Sequence, residues 1–377
     1  MKIVTIIGAR PQIIKAAALS RAIRSHFAKE IEEIIVHTGQ HYDTNMSKVF
    51  FEEMAIPEPD YNLEVGSGKH GEQTAKMIHG IEEIIMKETP DCLVVYGDTN
   101  STIAGSLAAV KLHIPVVHIE AGLRSFNKKM PEEVNRIACD HMSSFLYVPT
   151  QTGIENLQRE GFSIGTEKVS VDSPRVVHVG DIMYDNSKHF SKISDQKSTI
   201  LNQFNFEDYT LCTVHRSENT DNPQRLNDIF KAIYQIADQK NESIILPLHP
   251  RTQKMMESHL ESGLKASINQ HENIHIIPPA SFLDMIALEK NARLILTDSG
   301  GVQKEAYFFE KPCLILRPQT EWVEIVDAGV AKIVDTNLEK IMAGFEGFTN
   351  SDSFLFPPIF GDGKAAEFIL TDVKKYL

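Results

Sequence analysis

The chain has 377 residues, of which 42% are hydrophobic and 24% charged, and its formal net charge is −13. That length suits two domains or one large one, and the acidic balance speaks against a nucleic acid or an anionic membrane as the main partner. An anionic ligand must then be held by a few local cations, not by a general basic field.

The chain opens MKIVTIIGARPQ. Its apolar run is too short for a signal peptide and reads as a buried first strand, and no segment is long enough to span a bilayer. Residues 2–7, 33–37, 92–96, 116–119, 145–148 and 176–179 are near-continuous apolar runs, the pattern of parallel strands covered on both faces. Helical stretches alternate with them. Residues 102–111 form one, and residues 71–87 place Thr74, Met77, Ile78, Ile81, Ile84 and Ile85 on one face. From Asp181 to about Asn205 the chain turns polar and irregular, as a linker would. A second series of strands follows at 210–214, 243–248, 275–277, 294–297 and 313–316. A last helix at 365–376 carries Ala365, Phe368, Ile369, Val373 and Tyr376 on one stripe and is expected to pack back on the first domain. The expected architecture is α/β, with Rossmann-like parallel sheets in residues 1–180 and 181–363 and a returning helix at 364–377. Ligands of such sheets bind beyond the carboxyl ends of the strands, so a cleft between the domains is the expected site. The four cysteines (Cys92, Cys139, Cys212, Cys313) lie far apart and read as reduced core residues of a cytoplasmic protein.

The residues just after the strands are therefore the ones to question. The first strand ends Gly8-Ala9-Arg10-Pro11, with Lys15 one turn into the following helix. Gly8 permits a tight turn, Pro11 suits a first helical position, and free N–H groups with two cations favour an anion. The plainer reading is an ordinary turn with solvated cations. No dinucleotide fingerprint and no P-loop is present. Two later strands end at Gly97-Asp98 and Ile119-Glu120, and Glu132 follows Pro131 at a helix start. Singly, Asp98 suits a helix cap and Glu132 a first-turn carboxylate; three acids converging at strand ends point to acid–base work. In the second half, His215-Arg216, His249-Pro250-Arg251 and Ser299-Gly300-Gly301 each follow a strand. Ser299-Gly300-Gly301 offers bare N–H groups suited to a diphosphate, and Glu305 lies one turn on, where a carboxylate can accept from ribose hydroxyls. The histidines show no metal-ligand spacing, so no metal and no cofactor are expected.

Taken in order, GARPQIIKAA, TGQHYD, YGDTNST, HIEAGLRS, MPEEVNR, VHRSEN, LHPR, TDSGGVQKEA and FGDGKAAE resemble the non-hydrolysing UDP-N-acetylglucosamine 2-epimerase family over nearly the whole chain. The resemblance implies a GT-B-like fold and reversible conversion of UDP-GlcNAc to UDP-ManNAc, in homodimers, for cell-surface polysaccharide precursors. It implies Asp98, Glu120, Glu132 and His215 as catalytic residues, and Arg10, Lys15, His249, Ser299, Gly300, Gly301 and Glu305 as the UDP-binding set. Three departures stand out. Ala9 and Gln12 replace the Thr and Glu common in the opening turn, and Trp322 stands where the usual bacterial enzyme has an Arg. Both resemble the branch acting on UDP-2,3-diacetamido-2,3-dideoxy-glucuronate. Lys76 replaces an Arg of an effector site that Gln40 and His41 otherwise match.

A glycosyltransferase would use the same kind of cleft but needs no acid–base groups around C2, which the three acids supply. A hydrolytic epimerase would release free sugar and UDP. A nucleotide-sugar sensor would not need the acids at all.

Overall fold

Continuous apolar runs bury both faces of a strand, and such strands pair in parallel under crossover helices. The computed structural model describes residues 1–39, 56–351 and 353–377, and in them every strand pairing is parallel. One seven-stranded sheet is built from β1 (Lys2–Ile7), β2 (Glu32–His37), β3 (Tyr61–Asn62), β4 (Cys92–Tyr96), β5 (Val116–Ile119), β6 (Phe145–Val148) and β7 (Arg175–His178), in the order β3-β2-β1-β4-β5-β6-β7. A six-stranded sheet contains β8 (Thr210–Thr213), β9 (Ile244–Pro247), β10 (Ile274–Ile277), β11 (Leu294–Thr297), β12 (Cys313–Ile315) and β13 (Ala331–Ile333), in the order β10-β9-β8-β11-β12-β13. Each order reverses beside its first strand, the doubly wound Rossmann pattern. The class is α/β with two Rossmann-like sheets, of the GT-B type.

The chain divides into one unit of Met1–Asn186 with Pro358–Leu377 and a second of Ser187–Pro357. In the first, β4 is buried at all five positions, and the helix His70–Glu88 covers the sheet with Met77, Ile81, Ile84 and Ile85. In the second, Leu226, Ile229, Phe230 and Ile233 of the helix Pro223–Lys240 pack with Ile244, Leu246, Leu294 and Leu296 of the strands. The helix Ala365–Tyr376 belongs to the first unit. Asp185 caps it by accepting the N–H groups of Ala365 (3.2 Å) and Ala366 (2.9 Å). Its Asp372 accepts from Tyr147 at 3.0 Å and from two nitrogens of Arg175 at 2.6 and 2.7 Å. All four cysteines are buried thiols.

The expected linker is corrected. Residues from Ile182 to Lys197 form a helix, followed by a short 3₁₀ turn at Ile200–Gln203. The buried stripe of that helix runs through Ile182, Asn186, Phe190 and Ser194. Its spacing is helical, but half of it is polar, so no apolar period is visible. The polar members bond to backbone carbonyls: Asn186 to Ile14 at 2.5 Å and Ser194 to Leu283 at 2.7 Å. Gln40 and His41 lie outside the described residues; Lys76 pairs with Glu72 on its own helix at 2.8 Å.

Candidate active site

A sheet whose order reverses leaves a crevice beyond the carboxyl ends of the strands flanking the reversal. In the first unit those strands are β1 and β4. After β1, a side chain at Gly8 would put its Cβ 2.1 Å from Ser101 Oγ and 2.2 Å from Thr38 Oγ1, so only glycine lets this turn close on its neighbours. Pro11 then starts the helix Arg10–Ala22. Gln12 is buried; its Oε1 accepts the Ala9 N–H (3.1 Å) and its Nε2 donates to the Tyr96 carbonyl (3.1 Å) and to Thr102 Oγ1 (3.0 Å). This unusual residue therefore ties the β1 turn to the β4 turn, and it takes up an N–H that the sequence leaves open to an anion. Arg10 is exposed at the helix start.

One turn further, the buried Lys15 Nζ lies 2.7 Å from Glu120 Oε2. Gly97 adopts φ +61°, and a Cβ there would stand 3.2 Å from Lys15 Nζ and 3.7 Å from Glu120 Oε1. The next residue, Asp98, is ion-paired with Arg136 and anchored by a 2.9 Å bond from Asn135 Nδ2 to its carbonyl. Burial raises the Asp98 carboxyl above its ordinary range; Arg136 and Lys15 pull it down, and Glu120 adds to the rise. Thr99, not Asp98, caps the following helix, accepting from Thr102 N–H, so the capping explanation for Asp98 falls away. Asp98, Glu120 and Lys15 thus come together. Glu132 is exposed on the first turn of Pro131–Met142, one turn before Arg136 on the same helix. Its neighbour Glu133 is the buried one, accepting from Ser125 and Phe126 N–H at 2.8 and 2.9 Å.

In the second unit the reversal falls between β8 and β11. Asp298, wholly buried after β11, accepts the N–H groups of His215 (3.1 Å) and Arg216 (3.0 Å) and Nδ2 of Asn219 (3.0 Å). It therefore sets the β8 turn and places His215 Nδ1 3.4 Å from its own Oδ1. Burial lowers the His215 imidazole below its ordinary value; Asp298 opposes this, while Arg216 and His249 reinforce it. The His215 and His249 rings are 6.3 Å apart between centroids. His249 caps the helix Pro250–His259, its Nδ1 accepting Arg251 N–H at 3.2 Å.

Ser299 caps the helix Gly300–Phe308, where Gly300 and Gly301 expose backbone. A Cβ on Gly300 would lie 3.8 Å from both Arg216 and Arg317 guanidinium nitrogens and 3.7 Å from Glu321. Arg317 and Glu321 form a two-bond pair at 2.9 Å each. Trp322 is buried against the same turn, its Nε1 donating to the Gly300 carbonyl at 3.0 Å, with Lys304 Nζ 4.2 Å over the ring. Glu305 lies near buried Glu289, whose carboxyl is pushed well up by burial and by the Glu305 charge. Arg136, Asp298, Arg317 and Glu321 were not singled out from sequence. A carboxylate immediately before Ser-Gly-Gly was the one available signal. Among the described residues, no group of three or more His, Cys, Asp or Glu is placed to hold a metal ion.

The sequence model of the UDP-N-acetylglucosamine 2-epimerase family matches residues 24–374. The chain belongs to that family. As a 2-epimerase family member it is similar, at 50% identity over 97% of each chain, to a UDP-N-acetylglucosamine 2-epimerase homolog of Methanococcus maripaludis. It is 48% identical, over 91% of its own length and 90% of the relative's, to the UDP-2,3-diacetamido-2,3-dideoxy-D-glucuronate 2-epimerase of Pseudomonas aeruginosa. Among solved structures, the Methanocaldococcus jannaschii UDP-GlcNAc 2-epimerase in complex with UDP-GlcNAc and UDP is similar at TM-score 0.83 and 42% identity over 100% of both chains. Curated members of the family are 2-epimerases, and the enzyme class is isomerase. No helix among the described residues is long and apolar enough to cross a membrane.

Proposed function

We propose that this 2-epimerase inverts C2 of a UDP-activated N-acetylamino sugar by eliminating UDP and adding it back. The C2 hydrogen has no neighbouring carbonyl to acidify it, so direct abstraction would be very slow. In the proposed reaction the bond from C1 to the diphosphate oxygen breaks, with both electrons leaving on UDP, and a carboxylate takes the C2 proton. A glycal with a C1–C2 double bond results. A second acid delivers a proton to the opposite face of C2, and the UDP oxygen returns to C1.

The observation that carries this reading is the joint placement of Asp98, Glu120 and Lys15 around Gly97. Two carboxylates with differing surroundings suit one acid and one base. Glu132 and His215 complete the proposed catalytic set. Ser299, Gly300, Gly301, Glu305, His249, Arg10 and Lys15 form the proposed UDP set, joined by Arg317; fixed dipoles and cations there would stabilise charge developing on departing UDP. The proposed setting is a cytoplasmic homodimer supplying cell-surface polysaccharide precursors.

UDP-GlcNAc, with UDP-ManNAc as product, is the leading substrate. A second substrate, UDP-2,3-diacetamido-2,3-dideoxy-glucuronate, is favoured by Trp322 at the Gly300 turn and by the 48% identity to an epimerase of that sugar. The test is incubation with each sugar in deuterated water, followed by proton NMR. Loss of the C2–H signal with appearance of the C2 epimer supports the proposal and selects the substrate. Absence of exchange with both, or sugar transferred or hydrolysed with C2–H intact, defeats it.

A further inference from the structure

The buried His118 joins the two turns that carry Asp98 and Glu120, although it lies in the middle of a strand. Its Nε2 is 2.7 Å from the Gly97 carbonyl and its Nδ1 is 2.8 Å from Asp140 Oδ1. Burial works against an ionised Asp140, but the contacts from His118 and Arg124 outweigh it and hold the carboxyl below its ordinary range. A backbone carbonyl can only accept, so Nε2 donates to Gly97 while Nδ1 faces the Asp140 carboxylate. Asp140 Oδ2 in turn accepts the Gly122 N–H (3.2 Å) and pairs with Arg124 Nη1 (2.7 Å). Arg124 closes on Glu160 through Nε (2.7 Å) and Nη2 (2.6 Å). His118 and Asp140 are fully buried and the Arg124 side chain is 1% exposed.

The turns this cluster grips run through left-handed backbone. Gly97 (φ +61°), Glu120 (φ +73°) and Gly122 (φ +78°) all lie in the left-handed region, and for a glutamate that conformation persists only when its surroundings enforce it. The Gly97 carbonyl directly precedes Asp98, and the Gly122 N–H follows Glu120 by two residues. We propose that His118 and Asp140 are positioning residues that hold these two acid-bearing turns in register. The inference rests on the epimerase reading. His118 acts through the turns, not on the sugar.

The test compares full-length His118→Leu and His118→Gln with the wild-type enzyme, using the UDP-sugar that the wild type epimerises. Thermal melting checks folding, initial rates give kcat and KM, and calorimetry gives the UDP dissociation constant. His118→Leu is expected to lower kcat about 10²-fold, as a misplacement of about 1 Å would, with UDP affinity changed less than about threefold. His118→Gln keeps a donor for the Gly97 carbonyl and should recover roughly tenfold of that loss. A kcat near wild type in a folded His118→Leu, a parallel fall of kcat and UDP affinity, or no recovery by glutamine would each overturn the proposal. If the leucine variant fails to fold, His118→Gln decides alone: reduced kcat with unchanged UDP affinity supports it, and wild-type kcat overturns it. Lack of C2 exchange in the wild type would instead sink the function itself.

Discussion

The reversal points of the two sheets share a topology but not a chemistry. In the first unit, side chains carry the charge: Asp98 with Arg136, Glu120 with Lys15, and His118 with Asp140 behind them. In the second, exposed backbone joins the charged side chains: the Gly300–Gly301 helix start and turns fixed by buried Asp298, with Arg216 and Arg317 beside them. Carboxylates whose surroundings set their proton affinity suit proton transfer, whereas bare N–H groups suit a fixed anion. In the proposed reaction the first sheet supplies most of the proton handling, with His215 from the second, and the second supplies most of the diphosphate holding, with Arg10 and Lys15 from the first.

The sharpest way to break that comparison is to disable one side and ask whether the other notices. Asp98→Asn or Glu120→Gln is expected to lower kcat about 10²–10⁴-fold while the UDP dissociation constant from calorimetry stays within about threefold. Equal losses in both would end the division. Next in size, Gly97→Ala must hold φ +61° with a Cβ 3.2 Å from Lys15 Nζ. It is expected to lower kcat/KM about tenfold, from about 1–2 kcal/mol of strain; steady-state kinetics checks this.

On the other side, Trp322→Phe removes the indole N–H from the Gly300 carbonyl. The expected outcome is UDP binding weaker by roughly 2- to 12-fold, the equivalent of one hydrogen bond, and kcat nearly unchanged. Trp322 is the chain's one tryptophan, so its fluorescence in the wild type should change as UDP saturates the turn and follow the calorimetric isotherm. A flat titration would separate Trp322 from the nucleotide.

The smallest effect concerns the anchor of the returning helix. Burial pushes the Asp185 carboxyl up to about 6, against the pull of the Ala366 and Ala365 N–H bonds. A folded value above the unfolded one means that the native state takes up the proton first, so this group adds stability as pH falls through about 6 and contributes least above it. Between pH 7.5 and 5.5 the gain is about 1 kcal/mol, or about 2–3 °C in melting temperature. The wild-type minus Asp185→Asn difference should show that trend, and a difference independent of pH would refute it.

Much of this was legible in the sequence because parallel strands write themselves as apolar runs. Residues 92–96 and 116–119 needed no context, and once they were strands, Asp98 and Glu120 stood at their carboxyl ends. Strands β3 and β13, of two and three residues, are too short to carry a period. The helix Ile182–Lys197 was hidden by the polar residues of its buried stripe. The partners of the site were less visible than its members. His118 and Asp140 are 22 positions apart, and Arg317 comes 101 residues after Arg216 (317 − 216). Only tertiary packing, of the helix Pro131–Met142 on its strand in the first case and of nearby strand ends in the second, brings such pairs together, and that is a property of the fold, not of local composition.

The central claim is that the bond from C1 to the diphosphate breaks before C2 surrenders its proton. Positional isotope exchange reads that event directly, using the UDP-sugar that the enzyme epimerises, labelled with oxygen-18 in the bridge between C1 and the β-phosphorus. Cleavage frees the β-phosphate to rotate, so the account predicts that label moves into non-bridging positions of recovered substrate while C2 acquires solvent deuterium. Deuterium at C2 with all label still in the bridge would contradict it.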